Sequence, residues 1–198
     1  LTPGKSKGIN IVNWFGTIKQ PKVAKGKTFA FGGFATPRVP AGTYTAVITK
    51  GRDVFEHTFD IINDNRAGLT KEDHKFKQDI MSKMYNMTEE LAYMVYQIDT
   101  FLASPSTKSK VKTELENLKK TLVITTGDNY VGSAEPELRE KLANLFSKIV
   151  GSYDKPSNNE LENLKTIESR FVSSNKVFNK LKKNSKNVDY QSFESFLK

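Results

Sequence analysis

The stretch VPAGTYTAVITKGRDVFEHTFDIINDNR, residues 39–66, decides the fold prediction. Two strand-like runs stand on either side of a turn signal that contains Gly51, a residue able to take positive φ. Alternate positions in both runs are mostly apolar or aromatic and share one face of the predicted sheet: Tyr44, Ala46, Ile48, Phe55, His57, Phe59 and Ile61. The pattern predicts a β-hairpin with one face packed on a core.

Two further runs precede the hairpin. Gly8 to Phe15 is rich in β-branched and aromatic residues, and 27–31 is a second short run of the same kind. Residues 1–66 are therefore expected to form a small β domain. Trp14, the only tryptophan, is predicted to be a core anchor, with a sugar-stacking platform as the alternative. The expected core of this part is Trp14, Tyr44, Phe55 and Phe59.

The apolar spacing becomes helical after Thr70. Steps of three and four residues continue for about seven turns, and Ser104-Pro105 ends this first helix. Three more helical patterns follow, so residues 70–198 are predicted to form an antiparallel helical bundle. We expect three long rods, one of them broken near 104 or 124–134. The expected core of the bundle is Ile80, Met84, Leu91, Ile98 and Phe171.

Composition limits the partners that the chain can have. The net charge is +9, yet the helical lysines alternate with glutamates as on a solvated face, and no nucleic-acid motif occurs. No apolar run is long enough for a membrane span, so neither nucleic acid nor membrane insertion is expected. The absence of cysteine excludes disulfides and thiolate metal sites. Because the chain starts at Leu1 and not Met, we expect a fragment or mature segment.

Residues that could carry chemistry are few. Gly26-Lys27-Thr28 resembles the end of a phosphate-binding loop, but the required glycine five residues earlier is Pro21. The two histidines, His57 and His74, have no second ligand at a fixed spacing, and the paired glutamates stand on helix surfaces among lysines. We therefore expect no catalytic residue, metal site or cofactor in this chain.

A family resemblance rests on GINIVNW at 8–14 and VPAGTYTA at 39–46, with Asp64-Asn65-Arg66 and a Lys155-Pro156 helix start further along. The chain resembles the C-terminal region of bacterial sortilin-type, sialidase-like β-propeller proteins, which are often described as glycosyl hydrolases. There an Ig-like or fibronectin III-like module ends in Asp-Pro-Arg and precedes a long helical tail. Asn65 replaces that proline here.

The resemblance implies an α+β chain: an Ig-like β-sandwich module in residues 1–66 and a helical bundle in 70–198. It also implies a secreted or periplasmic setting and a propeller domain upstream as the partner, with self-association as the alternative. If strands ahead of Gly8 are missing, the sheet has an exposed edge for pairing with another chain. The blade signature of such propellers is absent, so no catalytic residue of that family can be carried over.

The expected function is that of a non-catalytic accessory module that orients or oligomerises a larger protein. One alternative is a carbohydrate- or peptide-binding module that uses exposed aromatic residues, namely Phe31, Phe34 and Tyr130. A hydrolase in its own right is the third alternative, and it requires a cleft with convergent polar groups and shifted pKa values.

Overall fold

The computed structural model describes residues 1, 4, 6–27, 35–64, 68–126, 135–183 and 188–198. The first two elements along the chain are strands, β1 (Gly42–Lys50) and β2 (Asp53–Ile61). Four long helices follow, α1 (Lys71–Ala103), α2 (Ser109–Leu122), α3 (Leu138–Gly151) and α4 (Asn158–Lys183), and then the short α5 (Phe193–Leu197). The helices begin and end close to the positions that the apolar spacing predicts.

The hairpin forms at the predicted position. β1 and β2 pair antiparallel from Gly42 opposite Ile61 to Lys50 opposite Asp53, which leaves a two-residue loop. Gly51 in that loop has φ of 63°, a left-handed conformation that costs glycine little because it has no Cβ. The prediction of a hairpin with its turn at this position is confirmed.

The predicted Ig-like or fibronectin III-like β-sandwich is wrong. The hairpin is the only sheet in the described residues, and the rest of the described chain is dominated by helices. Gly8 to Phe15 forms no strand, and Ile9 is 94% exposed. Positive φ at Gly8 and Gly16 interrupts the run at both ends, and a β-branched composition alone cannot supply a pairing partner. Most of the second predicted run, 28–31, lies outside the described residues.

The helices form three rods, in which successive rods are antiparallel. Helix α1 is the first rod, α2 and α3 together are the second, and α4 is the third. Lys119 of α2 contacts Asp99, whereas Lys77 near the start of α1 donates to the carbonyl of Ser152 after α3. The α2–α3 rod therefore runs opposite to α1. Helix α4 returns parallel to α1, because Lys83 pairs with Glu168 and Phe101 contacts Phe178. The break lies in the second rod, between the end of α2 at Leu122 and the start of α3 at Leu138. This agrees with the second of the two predicted positions, 124–134.

The core lies between these rods. Met84, Leu91, Ile98 and Phe171 are buried, and Ile80 is partly buried against the same cluster. In the hairpin Tyr44 and Phe59 are partly buried. The predictions for Trp14 and Phe55 are wrong, since these side chains are 37% and 56% exposed. Without a second sheet, the described residues leave both side chains partly in solvent.

Residues 19–27 form no helix or strand, and we name this segment the strap. Its second half contacts the chain on both sides of the break between α2 and α3. Its Ala24 is buried in the helical core, and the Lys27 amide donates to the Ile124 carbonyl at 2.8 Å. Arg139 Nη1 donates to the Ala24 carbonyl at 2.9 Å. Part of the N-terminal region thus completes the helical bundle. The predicted domain boundary near residue 67 stays a prediction, because 65–67 lie outside the described residues.

Candidate functional site

The two faces of the hairpin differ in chemistry. One face carries the predicted apolar set, and the other carries mainly threonine and acidic side chains. Trp14 covers only the base of the apolar face, with its ring centroid 6.3 Å from that of Tyr44 and 6.1 Å from that of Phe59. Towards the turn, Ile48 and Phe55 stand opposite each other and are 60% and 56% exposed. We name the side of the hairpin that carries Ile48 and Phe55 the apolar hairpin face.

The hairpin is also open at its edges. No described residue outside β1 and β2 adds a strand to either of them. A two-stranded hairpin is marginally stable alone in water, and an unpaired edge can accept another chain. The apolar hairpin face and its edges are therefore a surface that fits a protein partner.

A cleft lies between one end of the bundle and the base of the hairpin, which is the end away from its turn. We name it the basal cleft; its volume is about 830 Å³. One wall is formed by residues around Phe15 and 38–41 together with the chain that follows β2, 61–64. The first turns of α1 and the end of α3 form the other wall. This volume is within the range of ligand pockets, about 300–1,000 Å³.

Basic groups predominate among the charged side chains of the basal cleft. Arg38, Lys71 and Lys75 line it, and none of them makes an ion pair with a described residue. His74 also lines it, and its Nε2 atom is buried without a hydrogen-bond partner in the described chain. The acidic lining residues are Asp64 and Asp79.

Lys77 also lines the basal cleft. It is 8% exposed and donates to the Ser152 carbonyl at the end of α3. Burial lowers the pKa of its ammonium group, while the charges of Asp154 and Glu160 oppose that effect. Lys77 therefore joins α1 to the carbonyl end of α3, where a cation is favourable.

Two carboxylates take part in the N-terminal caps of helices: Asp73 in α1 and Glu160 in α4. Asp73 accepts from the Thr70 amide at 3.1 Å, and Glu160 accepts from the Ser157 amide at 2.8 Å. These backbone hydrogen bonds are the largest cause that holds the pKa of each carboxyl below its usual value. A general acid in a glycosidase needs the opposite shift.

This capping predicts a pH dependence. The folded-state pKa of both groups lies below the unfolded value, so their stabilisation is present above about pH 4.5 and is lost as the pH falls through the folded pKa. Thermal unfolding between pH 7 and pH 3 measures the loss. We expect the double variant Asp73→Asn, Glu160→Gln to melt lower at pH 7 and to lose less on acidification. If the melting temperatures of the unchanged protein and of the double variant fell equally between pH 7 and pH 3, the role of these carboxylates would be contradicted.

The residues singled out from the sequence are not gathered at one site. Phe31, Phe34 and Tyr130 lie outside the described residues, so ligand binding by them stays a prediction. His57 lies on the exposed hairpin, and His74 lies in the basal cleft. Among the described residues, no three histidine or acidic side chains come close enough to hold a metal ion. No described helix has the length and apolarity to cross a bilayer.

The basal cleft was missed in the sequence because Arg38 and His74 are far apart in the chain. One signal was present: Lys71 and Lys75 are four residues apart and share a helix face with no acidic residue between them on that face. Comparisons with protein-family models, with curated proteins and with solved structures find no match to this chain. The resemblance to propeller proteins therefore stays a prediction.

Proposed function

We propose that this chain is a non-catalytic accessory module that docks onto the β-propeller region of a larger secreted or periplasmic protein. In this proposal the three-rod bundle is a rigid support and the hairpin is the docking element. The propeller, as the partner, comes from the family resemblance alone. The observation that carries the docking role is the exposure of Ile48 and Phe55 on the apolar hairpin face.

The uncovered apolar area of the hairpin favours docking. A strand pair that alternates apolar and polar residues gains stability when its apolar face leaves water. Here Trp14 covers one end of that face, and the other end stays in contact with solvent. A partner that covers Ile48 and Phe55 would bury large apolar side chains at the centre of the contact, where binding energy concentrates.

The hairpin offers a matched pair of variants. Phe55 and Val54 are adjacent in β2 and point to opposite faces, and they are 56% and 57% exposed. In a calorimetric titration with the separately expressed propeller region, we expect 1:1 binding. Phe55→Ser is expected to weaken it at least tenfold, about 1.4 kcal/mol, and Val54→Ser to change it less than threefold.

Two results would count against this proposal. Equal losses in Phe55→Ser and Val54→Ser would show that the apolar hairpin face is not the contact. A dimer of this chain in analytical ultracentrifugation, disrupted by Phe55→Ser, would make a second copy the occupant in place of the propeller. Binding of carbohydrate or peptide through Phe31, Phe34 and Tyr130 is the alternative to test next, with glycan and peptide screens.

A further inference from the structure

We propose that the basal cleft binds an extended acidic peptide segment, separately from the docking of the apolar hairpin face. Three observations favour this ligand: cations on both walls that make no ion pair with a described residue, apolar side chains in the lining, and backbone groups after β2 that have no hydrogen-bond partner in the described chain. Each of them selects a property of the ligand, and together they favour a peptide over a small ion.

The charges select carboxylates. Arg38 stands on the hairpin side of the cleft, and Lys71 and Lys75 stand on the helix side, so a bound chain would have cations on both sides. The buried Nε2 atom of His74 adds a polar group without a partner in the described chain. Lys77 is already held by Ser152 and is not needed for the ligand. Asp64 and Asp79 oppose this charge, but the basic side chains outnumber them.

The apolar lining selects a ligand with apolar side chains. Its members come from the N-terminal segment, the hairpin and both helices: Phe15, Val39, Ile61, Ile62, Met81 and Val150. Phe15 is 83% exposed and Ile62 is 84% exposed, so the rim in particular would gain from being covered. A free phosphate or sulfate would leave these side chains in water.

The backbone selects an extended chain. Ile61 is the last paired residue of β2, and no described partner hydrogen-bonds to the backbone of Ile62 or Asn63, which continue along the cleft. An extended peptide can pair with such groups as an added strand does. From Lys71 to Met81 the helical wall is about 15 Å long, which matches four or five extended residues at about 3.3 Å each.

The test uses the full chain and a fluorescein-labelled pentapeptide, Glu-Phe-Glu-Leu-Glu, in a fluorescence anisotropy titration at low salt. We expect saturable binding that is at least tenfold weaker for the Gln-Phe-Gln-Leu-Gln peptide and that weakens with added salt. The double variant Arg38→Glu, Lys71→Glu is expected to reduce affinity at least tenfold. Lys71 is the first residue of α1, where an acidic side chain is favourable, so this variant should fold.

A matched control and a local readout make the test specific. Lys110 is an exposed lysine at the start of α2, at the other end of the bundle, and Lys110→Glu should leave binding unchanged. The chain has two histidines, so an NMR titration can follow both imidazoles. We expect the His74 signals to shift and the His57 signals to stay in place.

Several outcomes would overturn the proposal. One is that the NMR signals of His74 do not shift when the peptide is added. Another is that the glutamine peptide binds with the same affinity as the glutamate peptide. A third is that Lys110→Glu loses as much affinity as the double variant. Binding of an oligogalacturonate, with none of the acidic peptide, would make the ligand an acidic glycan and would also overturn it. Phe55→Ser should bind the peptide normally, so failure here is distinguishable from failure of the propeller-docking proposal.

Discussion

Replacing Arg139 with alanine is expected to lower the free energy of unfolding by about 3–5 kcal/mol, because it breaks a buried charge pair. Arg139 and Glu140 are 5% and 4% exposed. The guanidinium donates through Nε to Glu140 at 2.8 Å and through Nη1 to the Ala24 carbonyl at 2.9 Å. Alanine would leave the Glu140 charge and the Ala24 carbonyl short of partners in a region from which water is largely excluded.

The loss should also be visible in the strap. Ala24 is one residue of the helical core that comes from the N-terminal region, and Arg139 binds its carbonyl. We expect the Lys27 amide, which donates to Ile124, to exchange its hydrogen faster in Arg139→Ala. Gly26 allows this arrangement, since a Cβ at that position would stand 2.6 Å from Arg139 Nη1.

Arg170→Ala is the matched control. Arg170 pairs with Glu137 at 3.2 Å, but its side chain is 36% exposed, so the expected loss is about 0–1 kcal/mol. Urea unfolding of both variants at pH 7 gives the comparison. A loss below about 1 kcal/mol for Arg139→Ala, or an unchanged Lys27 exchange rate, would contradict the role assigned to the buried pair.

Replacing Phe101 with alanine is expected to cost about 3–5 kcal/mol through the cavity it leaves. Phe101 is 1% exposed at the end of α1. Its ring centroid lies 6.3 Å from that of Phe178 in α4 and 5.8 Å from that of Tyr190 beyond α4. The side chain thus joins the first rod, the third rod and the C-terminal segment.

The control for this substitution lies in the same helix. Phe76 is 43% exposed, so Phe76→Ala should change the free energy of unfolding by about 1 kcal/mol or less. Phe101→Leu keeps most of the volume and is expected to lose less than Phe101→Ala, and it remains measurable if the alanine variant does not fold. Similar losses for Phe76→Ala and Phe101→Ala would contradict the proposed packing.

The candidate surfaces were only partly predictable from the sequence. Alternation in 43–61 correctly placed Ile48 and Phe55 on one face, but it could not show that this face lacks a covering sheet. Apolar alternation indicates burial against something, and the sandwich prediction supplied a partner that the structure does not contain. The sequence showed Lys71 and Lys75 on one helix face, but it could not show the basal cleft, because the walls come from segments whose contact depends on where the hairpin meets the bundle.

The sequence by itself determined the position of the hairpin turn and the helix limits. These depend on interactions within a few residues: the positive φ of Gly51, the capping pair of Thr70 and Asp73, and the spacing of apolar side chains. Only the tertiary structure decided that the strap enters the helical core, that Phe55 stays exposed and that His74 faces a basic cleft. Those facts rest on contacts between residues far apart in the chain, which local periodicity does not encode.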